Sequence, residues 1–362
     1  MLNVSPAVLT MPSYHPPLAG REGLRLDFNE NTDACSPRVV ERLRRLRPEE
    51  LAKYPEREPV EAIVADFLQV DRDELLLTNG VDEAIHLLCE AYLDAGDQAI
   101  IVVPTYSMYA IYIKATGAEL IEVRAEEKFK FPAKAVIDAI TSRTRLIAIA
   151  NPNNPTGAVV SGDELIQIAR SAPDTAVLVD EAYFEFYGKT VVGDRRVAQN
   201  LFVARTFSKA YGMAGLRIGV LMGARDQVRS LRRLSSPYNV NAVALACVPE
   251  AISDRSYVSE YVHEVLEGRR RLEDLLRING MQFWQSNANF VLVRVSNSRE
   301  GAVKFVGRMR QRGILIRDRS ADEGCEGCVR ITLGRRQHVD RLLEVLEALL
   351  EEVPVSSEDS RL

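Results

Sequence analysis

The side chains best suited to covalent chemistry lie in Thr206-Phe207-Ser208-Lys209-Ala210 and in Gly215-Leu216-Arg217 shortly after it. Two hydroxyls flank one lysine and an arginine follows eight positions later, a set that can hold a phosphate beside a reactive amine. A lysine that forms a Schiff base with a phosphorylated aldehyde needs such company. Lysines are more often solvated surface residues, so the weight of this segment comes from what precedes it.

Upstream, the apolar run of Val177-Leu178-Val179-Asp180-Glu181-Ala182-Tyr183 ends in two acids and, three residues after Asp180, a phenol. Such a run reads as a buried parallel strand, and ligands of open α/β sheets gather at the carboxyl ends of such strands. Asp180 there can hold a protonated ring nitrogen by a charge-assisted hydrogen bond, or it can cap the next segment, which is the simpler account of Glu181. Ile147-Ala148-Ile149-Ala150 likewise breaks into Asn151-Pro152-Asn153-Asn154-Pro155-Thr156-Gly157, a rigid turn whose amides can donate to a ring oxygen or a carboxylate.

Further positions carry weaker signals of the same kind. Asn79-Gly80-Val81-Asp82 follows Leu75-Leu76-Leu77 and opens a helical pattern, so the free N–H groups near Val81 and Asp82 can meet a phosphate, as can those of any strand-to-helix turn. Pro104-Thr105-Tyr106-Ser107-Met108-Tyr109 also follows a buried run, and Tyr106 is either a ring platform or core. Near the carboxyl end, Arg330 stands inside the short strand pattern Cys328-Val329-Arg330-Ile331-Thr332, where a buried arginine implies a carboxylate arriving with a substrate. Arg317 sits thirteen residues earlier at the end of Ile314-Leu315-Ile316, either in a site or paired with Asp318.

Taken together these residues resemble fold-type I, pyridoxal-phosphate-dependent aminotransferases, and within them the histidinol-phosphate aminotransferases, over nearly the whole chain from Tyr14 to the last helix. The resemblance implies that Lys209 carries the cofactor as a Schiff base, Asp180 pairs with the pyridine nitrogen, and Tyr183 and Asn154 bond the ring hydroxyl. It also implies that Thr206, Ser208 and Arg217 bind the cofactor phosphate, Tyr106 stacks on the ring, and Tyr54 reaches a neighbouring subunit's cofactor phosphate in a homodimer. Arg330 then takes the α-carboxylate of glutamate or 2-oxoglutarate, with Asn154 beside it. Arg317 and Tyr14, of Pro12-Ser13-Tyr14-His15-Pro16, match positions used for a phosphorylated substrate. The peptide before Pro155 is expected to be cis. The polar stretch Ser320 to Gly327 matches no pattern and reads as a loop at the mouth of the site.

Strands near Leu75, Ile100, Leu146, Val177, Leu201 and Ile218 must position these groups, and they alternate with helical patterns such as Asp82 to Leu93 and Gly162 to Ala172. The fold class is therefore α/β: a large domain with a mainly parallel sheet flanked by helices, plus a smaller α+β domain. The expected divisions are an amino-terminal arm, 1–48, packed with the small domain; the large domain, 49–246; the small domain, 247–352; and a polar tail, 353–362.

A chain of 362 residues, 46% hydrophobic and 27% charged, has enough apolar material for two cores. Its net charge of −5 gives no basic footprint, so nucleic acid is not an expected partner. No apolar run approaches a membrane span, and Met1 to Pro17 lack the basic start and apolar centre of a signal peptide, so a cytoplasmic location is expected. The five cysteines, Cys35, Cys89, Cys247, Cys325 and Cys328, are too scattered for a disulfide framework. Cys325 and Cys328 have metal-ligand spacing, but no second pair or nearby histidine completes a site, and no metal is expected. Two other readings remain: an aromatic aminotransferase or phosphothreonine decarboxylase on the same scaffold, and a cofactor-binding regulator, for which the chain lacks a spare module.

Overall fold

The computed structural model describes residues 2–9, 11 and 20–352. Two sheets organise them. The first has seven strands: β2 (Leu75–Thr78), β3 (Gln98–Val103), β4 (Glu119–Arg124), β5 (Thr144–Ala150), β6 (Ala176–Asp180), β7 (Leu201–Thr206) and β8 (Gly219–Met222). Their order is β2-β8-β7-β6-β5-β3-β4, and all neighbours run parallel except β8, which is antiparallel to both β2 and β7. β2, β6, β7 and β8 are buried throughout, which is why they read as continuous apolar runs. Each fully buried Leu, Ile or Val stabilises by about 1.5–3 kcal/mol, so these strands anchor the core. β4 was not visible in the sequence as a strand. It lies at the sheet edge with an alternately exposed Glu119-Leu120-Ile121-Glu122-Val123-Arg124, so no apolar run marks it.

The second sheet is built from β1 (Leu24–Leu26), β9 (Phe283–Trp284), β10 (Phe290–Arg294), β11 (Ile314–Asp318) and β12 (Cys328–Thr332), in the order β1-β11-β12-β10-β9. β1 pairs in parallel with β11, setting Leu24 to Leu26 beside Ile314 to Ile316. β11 pairs antiparallel with β12, which sets Arg317 opposite Arg330.

The expected division at residue 48 lies at the start of the helix Pro48–Ala52, and that at 246 lies within a second helix, Ala242–Ser253. The buried face of the second helix, from Ala244 to Ile252, continues past residue 246 and packs on the helices Pro37–Arg44 and Glu58–Leu68. That helix ends before Asp254, whose carboxylate accepts from Tyr257 N and starts the charged helix Arg255–Ile278. Tyr14 and the tail from 353 lie outside the described residues. Among the described residues no helix is long and apolar enough to cross a membrane, and no group of three or more His, Cys, Asp or Glu is placed to hold a metal ion.

Candidate active site

The ends of β5, β6 and β7 and the start of the helix Gly80–Tyr92 converge on Lys209. The chain leaves β7 at Thr206 and turns tightly, with Ser208 N donating to Thr206 Oγ1 at 3.0 Å and Gly212 N to Lys209 O at 3.1 Å. This turn projects the Lys209 amine to the carbonyl of Phe28, at 3.1 Å, and toward the Tyr183 ring, 6.0 Å from its centroid. Burial, helped by Arg330, lowers the Lys209 ammonium to a pKa of about 8, which makes a neutral amine accessible near physiological pH.

Asp180 ends β6. Its carboxylate accepts from the Tyr109 hydroxyl at 2.7 Å and from Ala182 N at 3.0 Å. Burial nevertheless raises its pKa to about 6, with Asp82 and Glu181 adding to the rise. Glu181 has a different task from both capping and chemistry: it accepts from Thr190, Val191 N and Arg205, a buried structural ion pair.

The helix start holds a second set. Arg217 donates to Asp82 at 3.0 Å and Tyr106 donates to the other Asp82 oxygen at 2.8 Å, while Val81 is half-buried in the first turn. The rings of Tyr106 and Tyr109 meet edge to face at 5.7 Å. Gly80, at φ +74, brings the helix start so close to Arg217 that a Cβ there would fall 2.6 Å from its Nη2. The result is a cradle of helix N–H groups and one guanidinium, and Gly219, which pairs with Thr206, lies against it.

The third set comes from the second sheet. Arg330, 5% exposed, donates to Asn154 Oδ1 and, at 2.6 Å, to Asp27 O; its Nε is buried with no partner among the described residues. Burial, with Arg319 and Arg317 nearby, lowers its pKa to about 9. The Asn154–Pro155 peptide is cis. Asn151 and Asn153 brace the turn by bonding Val160 and Pro104, and Asn154 is the asparagine of the three that meets Arg330. Arg317 stands over the Phe28 ring at 5.1 Å and has no hydrogen bond or ion pair to another described residue. Asp318 does not pair with it, because its carboxylate accepts from Ser320 N at 2.8 Å.

Two contributors, Tyr109 and Phe28, escaped the sequence reading, and a third, Asn29, reads from sequence as a turn, cap or site residue alike. Tyr109 lies one helical turn beyond Tyr106, a phenol in an apolar segment, which was the available signal. Asn29, at φ +55, donates to the Tyr183 hydroxyl at 2.8 Å and accepts from Thr332. Phe28 contributes a backbone carbonyl, which no residue type announces. Tyr54 is not brought into the site of its own chain: it is 78% exposed and stacks on Tyr238 at 4.2 Å.

A buried, charge-suppressed lysine, an aspartate at a strand end and a helix start beside a guanidinium are the groups that a cofactor-dependent enzyme of the α/β class can use. The family model for aminotransferases of class I and II matches residues 21–346. A histidinol-phosphate aminotransferase from Caldanaerobacter subterraneus subsp. tengcongensis is 36% identical over 298 residues, 82% of this chain and 83% of the relative. Among solved structures, histidinol-phosphate aminotransferase from Sinorhizobium meliloti, in complex with pyridoxal-5'-phosphate, superposes with a TM-score of 0.87 at 22% identity, covering 96% of this chain and 99% of that one. L-threonine-O-3-phosphate decarboxylase from Porphyromonas gingivalis does so at 0.75 and 24%, covering 91% and 99%. The chain belongs to the class I and II aminotransferase family, and it is a pyridoxal-phosphate-dependent aminotransferase with small-molecule substrates. The cradle at Gly80 and the orphaned Nε of Arg330 fit that cofactor and an anionic substrate beside it.

Proposed function

We propose that this aminotransferase takes L-histidinol phosphate as amino donor and 2-oxoglutarate as acceptor, and so serves histidine biosynthesis. The observation that carries the reading is Arg317, set by strand register opposite Arg330 and left without a carboxylate partner among the described residues. Two cations side by side suit a phosphate or the two carboxylates of 2-oxoglutarate. The named relatives support the same substrate.

In this proposal Lys209 holds the cofactor and Asp180 holds its ring nitrogen. Tyr183 and Asn154 bond the ring oxygen, and Tyr106 covers the ring. Thr206, Ser208, Arg217 and the N–H groups near Val81 and Asp82 hold the phosphate. The bound cofactor supplies an aldehyde carbon and an electron-withdrawing ring that stabilises negative charge at the substrate α-carbon. Once the substrate amine had displaced it from the cofactor, the freed Lys209 Nζ, with a pKa lowered to about 8, would take the proton from that carbon. Tyr109 and Ala182 N keep the Asp180 carboxylate oriented, and the Arg330 guanidinium positions the substrate anion. Tyr14, which lies outside the described residues, would bind the substrate. Tyr54 would complete the partner's phosphate site in a cytoplasmic homodimer, which gives its exposed ring a place to go.

The test is the absorbance of the cofactor-loaded protein as L-histidinol phosphate is added without a keto acid, with L-phenylalanine and glutamate in parallel. Conversion to the aminated cofactor at the lowest concentration by histidinol phosphate supports the reading. Conversion only by phenylalanine sinks the substrate assignment and leaves the reaction class standing. Arg317 equally suits a phosphorylated amino acid, and carbon dioxide release from threonine phosphate would mark the decarboxylase instead.

A further inference from the structure

The loop from Arg319 to Gly327 joins the two strands that carry Arg317 and Arg330, and it brings its own charges to the site. Arg319 follows Arg317 by two residues, and its side chain is 13% exposed and ion-paired to Asp322. The pair is held by the backbone: Arg319 N donates to Cys328 O at 3.0 Å, Asp322 N to Arg319 O at 2.9 Å, and Cys325 N to Asp322 O at 3.0 Å. Arg319 is close enough to depress the Arg330 pKa more than any other charge does, and it acts on Tyr183 as well. Asp322 feels Arg319, Arg330 and Arg317 together, although burial outweighs them and raises its carboxyl. Asp322 also lines the same cleft as Tyr106, Pro104 and Thr105. Of the other acids of this segment, Asp318 turns to Ser320, Glu323 to Arg124, and Glu326 is exposed. Two guanidinium nitrogens of the group, Arg319 Nε and Arg330 Nε, are buried without a partner among the described residues.

We infer that the Arg319–Asp322 ion pair is a specificity-determining element: Asp322 is a built-in counter-anion that reduces a three-arginine face to two net positive charges and so matches it to a dianionic substrate group. This rests on the reading of Arg317 and Arg330 as substrate-anion groups and adds what sets the charge they present. With Asp322 present, Arg319 is occupied and an entering dianion meets a balanced charge. Without it, the face holds any anion too strongly. Without Arg319, Asp322 is released to compete for Arg317 and Arg330, and the entering anion is displaced.

The experiment measures the dissociation constant of inorganic phosphate by titration calorimetry on the cofactor-loaded protein, whose cofactor-phosphate groups are already filled. Asp322→Asn is expected to tighten phosphate about five-fold and Arg319→Gln to weaken it by about the same factor, as one charge at partly screened range allows. The double variant keeps two net charges and should return to within about two-fold of the parent. Asp322→Ser removes the same charge with a smaller side chain and should also tighten binding. A double variant as weak as Arg319→Gln, or charge-removing variants at Asp322 that fail to tighten phosphate, would show that the pair only braces the loop and overturn the inference. Arg317→Gln and Arg330→Gln separate the two levels. If they leave phosphate affinity unchanged, the underlying reading of those arginines fails; if they weaken it while the Asp322 variants do not tighten it, only the role of the ion pair fails.

Discussion

Two neighbouring acids, Asp180 and Glu181, show how environment decides what a residue does. Glu181 is neutralised by Arg205 and spends its oxygens on backbone and hydroxyl donors, whereas Asp180 faces the site with a phenol and one N–H. Burial first, then the neighbouring acids, raises the Asp180 carboxyl above its unfolded value. At Asp180 the folded, cofactor-free chain therefore binds more proton than the unfolded chain between about pH 4 and 6, and this group's contribution to stability falls as pH rises through that window. Tyr109, whose own pKa burial holds well above the ordinary tyrosine range, stays a donor throughout. Tyr109→Phe should raise the Asp180 pKa further and lower kcat/KM about ten-fold at neutral pH, the scale of a lost hydrogen bond to a charged group. The loss should deepen as pH falls toward 6. A flat pH–rate ratio between variant and parent would remove Tyr109 from the support of Asp180.

Strands and turns place these groups by register and close approach. β8 runs antiparallel between β2 and β7, and its Gly219 pairs with both Thr78 and Thr206. A Cβ on Gly219 would fall 2.8 Å from Gly80 C and 2.9 Å from Val81 N, so glycine lets the helix start settle against the strand beside Thr206. Gly219→Ala is expected to cost about 1–3 kcal/mol of stability by overpacking and to weaken cofactor binding, read from equilibrium dialysis and thermal melts. Unchanged cofactor affinity would show that the cradle tolerates the displacement. Strand types, the long helices and the Asn-Pro turn were legible because periodicity and turn chemistry are local. The edge strand β4 and the opposition of Arg317 to Arg330 were not, since the first lacks an apolar run and the second depends on pairing register.

Among the described residues, the stacked rings of Tyr54 and Tyr238, 78% and 55% exposed, form a surface feature that a single chain leaves without use. Nearby, Asn239 bonds Leu77 O and Glu83, which ties this corner to the start of the helix Gly80–Tyr92. If two chains share their sites here, Tyr54→Ala and Lys209→Ala proteins should each be nearly inactive. Their mixture after subunit exchange should recover about a quarter of parental activity, because half of the dimers then contain one intact site. No recovery in a mixture proven to contain hybrids would place Tyr54 outside the shared site.

The sequence by itself determined the chemistry available: Lys209 in its hydroxyl-rich turn, Asp180 at the end of an apolar run, the Asn-Pro turn and two late arginines, all signalled by residue type over a few positions. It also determined the alternation of strands and helices that makes the α/β sheet. Tertiary structure decided which groups act together, bringing Tyr109 onto Asp180, Asn29 onto Tyr183, the Phe28 carbonyl onto Lys209 and Asn154 onto Arg330. Those pairings join residues far apart in the chain or depend on burial. Strand register, close packing and the loss of solvent set them, and none of the three can be read from a residue's immediate neighbours.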